Sequence, residues 1–392
     1  IIFFIYFCLF FSFLNVDLEI LFKIYLIFAI ILLLINFNRL KDEIKKDDYF
    51  KFFIFFIVTI SIFFSLAQNV KLEWDGFFWI EKALIFKNEL NIAELKNTEP
   101  SNYPHLGSYL WAFFWKNSIL ELEYFGRFFY VYFYLLAVII IFNISVFNNR
   151  NLLVLIPLIF ILLTYEPYLL SGYQEYLIFS SLLISSRFIF LIDFNEFKKI
   201  RLLFLTIFIL YLNCWFKNEG LVYFLIFSIP LILILKMQYQ KKILFFLSLP
   251  ILVYIKFILE NNLIGVSSFP GVNILSENNF TIADINILIT KILKIVYHIL
   301  IAFIKHPIWL LILSSIFIFV LKNDKFEKKI KYFLICLILN FSFIFAIFLT
   351  FPNLDFMLRL ALDRLLFQTS GLYLILVVIL MNNLRLFKNN LN

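Results

Sequence analysis

Residues 202–235 read LLFLTIFILYLNCWFKNEGLVYFLIFSIPLILIL, two apolar runs (202–216 and 220–235) on either side of the short polar turn Lys217-Asn-Glu219-Gly220. Runs of this length joined by so short a turn fit a pair of membrane-crossing helices, which need roughly 20 apolar residues each. The same alternation fills the chain. Further runs lie near 1–16, 19–37, 52–67, 125–146, 152–165, 174–192, 243–259, 307–321, 332–350 and 367–384. Of the 392 residues, 63% are hydrophobic and 15% charged, with a mean hydropathy of +0.96. Soluble domains hold about 45–50% apolar and about 25% charged residues, so a water-soluble fold is excluded. The expected architecture is all-α: one polytopic membrane domain over 1–392, with about twelve transmembrane helices.

Orientation follows from the basic loops. Arg39, Lys41, Lys45, Lys46 and Lys51 lie in one, Lys198, Lys199 and Arg201 in a second, Lys236, Lys241 and Lys242 in a third. Five lysines fall between 322 and 331, and Arg385 and Lys388 follow the last run. All share one side, with both termini in the cytoplasm, if the segment 281–305 does not cross. Lys291, Lys294, His298 and Lys305 repeat there at three, four and seven, which places them on one helical face, as in an interfacial amphipathic helix. The polar segments 68–123, 166–173, 217–219, 260–306 and 351–366 then all emerge on the outer side. The net charge of +8 sets orientation in this reading and implies no nucleic acid. Three scattered cysteines and three histidines show no metal-ligand spacing, and no Gly-rich phosphate loop or nucleophile elbow is present.

The outer segments carry the residues with useful chemistry. In Trp74-Asp75-Gly-Phe-Phe-Trp79-Ile-Glu-Lys82-Ala, the side chains Trp74, Phe77, Phe78 and Ile85 can dip into the interface, while Asp75, Trp79 and Lys82 share another face. An Asp held there suits a lipid-linked head group; an ordinary aromatic belt over a solvated loop explains the same residues. Lys217 and Glu219 are either functional or the turn of a hairpin whose charges reach back to water. For Arg359, Asp363 and Arg364 the plain alternative is an interfacial helix with internal pairing, since Asp355–Arg359 and Arg359–Asp363 have i, i+4 spacing. Glu166 and Glu175 flank a short outer turn, where they orient an acceptor, hold a divalent cation with Asp75, or merely line a loop. His105, after Tyr103-Pro, lines the site or is structural.

The set resembles a known family. Trp74–Ala83 with Tyr103-Pro-His105-Leu is similar to the first outer loop of multi-spanning glycosyltransferases of the GT-C superfamily, near the bacterial members of glycosyltransferase family 39. Those are relatives of protein mannosyltransferases and lipid A aminoarabinose transferases. Ser171-Gly-Tyr173-Gln-Glu175, Lys217-Asn-Glu219-Gly and Arg359-Leu-Ala-Leu-Asp363-Arg364-Leu-Leu-Phe-Gln368 resemble three later segments, in the expected order. This chain departs from the family in having three runs before the first loop, a single Asp beside Trp74, and Glu175 where Asp is usual.

The resemblance implies a GT-C-like fold in a bacterial inner membrane, with the site on the outer face. It implies inverting transfer of a sugar from a polyprenyl-phosphate donor to a lipid, glycan or protein acceptor. Asp75 would be the general base, a role favoured by partial removal of its carboxylate from water. Lys217, Arg359 and Arg364 would meet the donor phosphate, whose charge grows as it leaves. Trp79, Lys82, Tyr103, His105, Glu166, Tyr173, Glu175, Glu219 and Asp363 would bind substrate or support these. Two readings compete: a transporter or flippase of lipid-linked glycans, and a polymerase or ligase with the same donor. A transporter should carry ionisable residues within its spans, which here look almost free of them.

Overall fold

The computed structural model describes residues 2–43, 57, 61, 71–118, 121–142, 171–194, 200–265, 285–322, 327–351 and 353–389. Among them all regular structure is helical. Each expected apolar run coincides with a helix, except 52–67 and 152–165, which apart from 57 and 61 lie outside the described residues. Among the described residues five helical stretches are long and apolar enough to cross a membrane: Leu18–Asn36, Tyr239–Ile264, Ile287–Lys305, Lys328–Thr350 and Leu354–Leu380. The chain is an all-α membrane protein, and it divides into two compact units.

The first unit comprises Ile1–Ile156, Tyr165–Leu177 and Leu259–Val266. It contains α1 (Ile2–Ser12), α2 (Leu18–Glu43), α3 (Trp74–Lys87), a 3-10 turn (Ile92–Asn97), α4 (Leu106–Lys116) and α5 (Glu123–Phe142). The start of α6 (Glu175–Leu191) and a π-helical turn (Glu260–Ile264) complete it. Its core is aromatic. Phe4 of α1 meets Phe113 and Phe114 of α4 and Phe129 of α5, while Trp111 of α4 packs edge-on against Tyr130. Burying such rings contributes on the order of 1.5–3 kcal/mol each, which fixes α4 between α1 and α5.

The second unit comprises Pro157–Thr164, Ile178–Ile258 and Ser267–Asn392. It holds the rest of α6, then α7 (Ile200–Phe216), α8 (Glu219–Ile234), α9 (Tyr239–Leu259), α10 (Ile285–Lys305), α11 (Ile308–Lys322), α12 (Glu327–Thr350) and α13 (Leu354–Asn389). Helices α7 and α8 form a tight hairpin because residue 220 is glycine; a Cβ there would collide with the carbonyl oxygen of Asn213. Helix α9 returns beside α7 in a constant register of 41 residues. Phe204 meets Phe245, the Tyr211 hydroxyl donates to the Leu252 carbonyl at 2.8 Å, and Lys256 lies 5.4 Å from the Trp215 ring.

The segment 351–366, expected as a separate outer stretch, is the start of the 36-residue α13. Leu354, Leu358, Leu362 and Leu365 are buried at helical spacing, so the helix continues through the polar residues. The basic face of α10 also differs from expectation. It packs on protein while its lysines stay partly open to solvent: Lys291 donates to the carbonyls of Leu349 and Phe351, Lys294 pairs with Asp355 at 2.8 Å, and Lys305 pairs with Asp363. The opposite face, with Ile287, Leu293, Leu300 and Ile304, is the exposed apolar one. The internal pairing of Arg359 with Asp363 is thus replaced by pairing across helices.

Candidate functional site

Three of the quoted segments converge in the first unit. The carbonyl oxygen of Ser171 receives the Glu73 N–H at 3.4 Å and abuts Gly76, where a Cβ would collide with it. Gly172 has φ +89°, a left-handed conformation that side chains disfavour, and it fits only because neither it nor Gly76 carries a Cβ. One turn further, the Ser108 hydroxyl donates to the Trp79 carbonyl at 2.9 Å, and the Gln174 amide donates to Ser108 at 3.4 Å. Segments 74–83, 103–108 and 171–175 therefore form one packed unit.

Asp75 sits in the first turn of α3 beside this junction and is half-buried. Trp79 is buried and stacks on the half-buried Tyr103, with ring centroids 5.6 Å apart and planes 18° apart. Lys82 is fully buried. Its ammonium donates to the carbonyls of Pro100 at 2.8 Å and Tyr103 at 2.7 Å and lies 5.7 Å from the Trp79 ring. Burial pushes its pKa down from 10.5 to about 7, against the opposing charges of Glu260 and Glu81. Lys82 is a clasp on the loop 98–105.

His105 is buried between Phe13 and Phe86. Its Nε2 stands 2.8 Å from the Ser12 hydroxyl, which gives its own proton to the Leu9 carbonyl, so the ring donates. It ties α4 to α1. Tyr173 and Glu175 are buried at the start of α6, and Glu166 lies outside the described residues. Among the described residues no three His, Cys, Asp or Glu side chains are grouped to hold a metal ion.

The remaining candidates belong to the second unit. Lys217 does not reach back to water: it is 2% exposed, with Glu219 at 3.9 Å and Glu219 itself about a quarter exposed. Burying a charge at the centre of a membrane-crossing helix costs about 2.5–3.5 kcal/mol on insertion scales and less at a turn such as this one, where Glu219 offsets part of it. Arg359 is exposed and Arg364 half-buried on α13. Asp363 accepts from Lys305 at 2.5 Å and has the His306 ring at 3.4 Å.

Sequence reasoning passed over Lys256. It is 3% exposed, lies within the apolar stretch Tyr239–Ile264, and sits over the ring of Trp215. The signal was present as one cation inside an apolar run. Its significance depends on which neighbouring helix that face meets, which spacing alone does not tell. It also weakens the statement that the spans are almost free of charge.

No protein-family model, curated protein or solved structure matches this chain.

Proposed function

We propose that the chain is a membrane glycosyltransferase of the GT-C type, close to the bacterial relatives of family 39. It would sit in a bacterial inner membrane with its chemistry on the outer face, with about twelve spans and both termini in the cytoplasm if α10, which is long and apolar enough to cross, lies along the interface instead. The observation that carries the reading is the packing of segments 74–83, 103–108 and 171–175 into one unit around the start of α3, where Asp75 stands. These segments are far apart in the chain, and the resemblance assigns them to one site on sequence alone.

In this reaction the acceptor hydroxyl oxygen attacks the anomeric carbon of the donor. The carbon–oxygen bond to the phosphate breaks on the opposite face, with inversion. Asp75 takes the hydroxyl proton, and polyprenyl phosphate leaves with the electron pair. Lys217, Arg359 and Arg364 are the cations proposed for the phosphate. Burial makes Lys217 the strongest of the three, because an ion pair gains as the local dielectric falls. Lys82, His105 and Ser108 act through others by holding the loop and helix that present Tyr103, Trp79 and Asp75.

The test is release of polyprenyl phosphate from a panel of polyprenyl-phosphate sugars by purified, reconstituted protein. Asp75→Asn should lower turnover by at least about a hundredfold, in the range general-base removal costs, with folding unchanged. Turnover by Asp75→Asn equal to wild type would remove Asp75 from the chemistry.

A further inference from the structure

We infer that one end of the second unit is a binding surface for the anionic head group of a membrane phospholipid, formed where α6 and α8 end and where α7, α9 and α12 begin. The surface does not depend on the transferase reading, because it is built from other residues and serves any reaction the chain performs.

Charge separates this end from the rest of the chain. Segments 187–201, 236–242 and 322–331 hold twelve Lys and Arg against four Asp and Glu, so they carry a net +8, the whole net charge of the protein. The basic loop 39–51, by contrast, has five cations and four acids and is nearly neutral. Packing gathers the described parts of the three segments. The Lys236 N–H donates to the Phe194 carbonyl at 3.3 Å, the Phe194 ring stands 6.1 Å from Tyr332, and the Lys329 ammonium donates to the Phe190 carbonyl at 2.6 Å. The 41-residue register between α7 and α9 sets Arg201 level with Lys242.

Two of these cations are already engaged. Lys329 lies 4.5 Å over the Phe190 ring with the Asp193 charge nearby, and the Lys242 ammonium donates to the Leu233 carbonyl at 2.9 Å, so the pair closes the ends of α6 and α8. Arg201, Lys236, Lys241 and Lys331 are exposed, and among the described residues none of them pairs with a carboxylate. The first turns of α7 and α9 contain no acidic residue, so the helix ends add to the positive field instead of balancing it. Like charges grouped this way repel, and anions received there relieve the repulsion.

The ligand is amphiphilic. One turn from Arg201, Lys236 and Lys241 stand Phe204, Leu233 and Leu244, all exposed and apolar. Acyl chains cover that rim while a phosphate stays level with the cations, and basic clusters beside membrane helices take anionic head groups in this manner. A polynucleotide or an acidic protein segment matches the charge but leaves the apolar rim in water.

The experiment measures binding and not turnover. Purified protein in detergent is titrated with phosphatidylglycerol, with phosphatidylcholine of the same chains, with glycerol phosphate and with a DNA oligonucleotide, and bound molecules are counted by native mass spectrometry. Wild type should bind phosphatidylglycerol at least about tenfold more tightly than phosphatidylcholine. The triple variant Arg201→Gln, Lys241→Gln, Lys331→Gln should bring the two within about threefold. A control triple, Lys41→Gln, Lys45→Gln, Lys46→Gln, removes the same charge from the loop 39–51 and should change nothing.

No preference for phosphatidylglycerol in wild type overturns the proposal. So does a preference that survives in the first triple variant, or one that the control loses to the same degree. Glycerol phosphate bound as tightly as phosphatidylglycerol overturns the role of the acyl chains, and an oligonucleotide that displaces the lipid at equal concentration overturns the lipid assignment. If the first triple variant does not fold, a photoreactive phosphatidylglycerol on wild type decides: crosslinks at 187–205, 233–247 and 328–335 support the surface, and crosslinks elsewhere sink it.

Discussion

The ammonium of Lys82 donates to the main-chain carbonyl of Tyr103 at 2.7 Å, across 21 residues of chain. With the second bond to Pro100, this contact closes the loop between α3 and α4 and sets the Trp79–Tyr103 stack above it. The clasp lies outside the membrane-crossing stretches, so its protonation can respond to the bathing solution.

That clasp predicts a pH dependence. Burial lowers the Lys82 pKa from 10.5 to about 7 in the folded state. Between those values the unfolded chain holds a proton that the folded chain has shed, so stability rises with pH across the window. Below about 7 both states are protonated and the cost of burying the charge is present in full. The difference in unfolding free energy between wild type and Lys82→Met should therefore shift in favour of wild type above pH 7, approaching about 1.4 kcal/mol per pH unit. Lys82→Met also leaves two carbonyls without their donor, at about 1–3 kcal/mol each. Thermal unfolding in detergent at several pH values measures both. A difference that stays flat from pH 7 to 9 means the ammonium is not desolvated as described.

How much of this was legible in the sequence divides by the kind of physics involved. Apolar runs are local, so the helices around 202–235 and at 332–350 stand where hydropathy placed them. On α3, Trp74 and Phe77 are exposed and Trp79 and Lys82 lie on another face, as helical spacing indicated, but that spacing did not tell that Trp79 and Lys82 are buried, and Ile85 turned inward because α3 packs on α4. Asp363 shows the limit. Its i, i+4 neighbour Arg359 was visible in the sequence, whereas Lys305 lies 58 residues away and became its partner only through the packing of α10 on α13. The Gly76–Ser171 junction could not be read at all, because a missing Cβ matters only once another backbone comes near. Lys256 was readable as a charge in an apolar run but not as a neighbour of Trp215.

Gly76 gives a prediction of the opposite kind, in which nothing is charged. Gly76→Ala places a methyl group against the Ser171 carbonyl, which is backbone and cannot swing away. The Glu73–Ser171 bond must open or α3 must shift. Overpacking of this sort costs about 1–3 kcal/mol. Gly172→Ala meets the Trp111 ring and the Gly76 Cα at 2.8–3.0 Å and also the left-handed φ, so it should cost more, about 2–4 kcal/mol in all. Gly265, with φ +79° and open space around it, should show only the backbone part. The order Gly172 above Gly76 above Gly265 in lost unfolding free energy is the expected result. A Gly76→Ala variant as stable as wild type would show that 74–83 and 171–175 do not touch, and the convergence that supports the proposed site would go with it.

The charged ladder between α10 and α13 can be tested pair by pair. Lys294 and Asp355 are each about half exposed, whereas the Asp363 side chain is only 19% exposed and takes both Lys305 and the His306 ring. Solvent screens the first pair more than the second. Double-mutant cycles should therefore give a coupling of about 0.5–1 kcal/mol for Lys305→Met with Asp363→Asn, and less for Lys294→Met with Asp355→Asn. The cycle of Arg359→Met with Asp363→Asn should show about 0.3 kcal/mol or less, within the additivity of independent sites. Raising salt should erase the Lys294 coupling first, because that pair is the more open to counterions. If Arg359 couples to Asp363 more strongly than Lys305 does, the carboxylate faces along its own helix and not across to α10. The basic face of α10 would then be free to meet water or lipid head groups, as its spacing alone suggested.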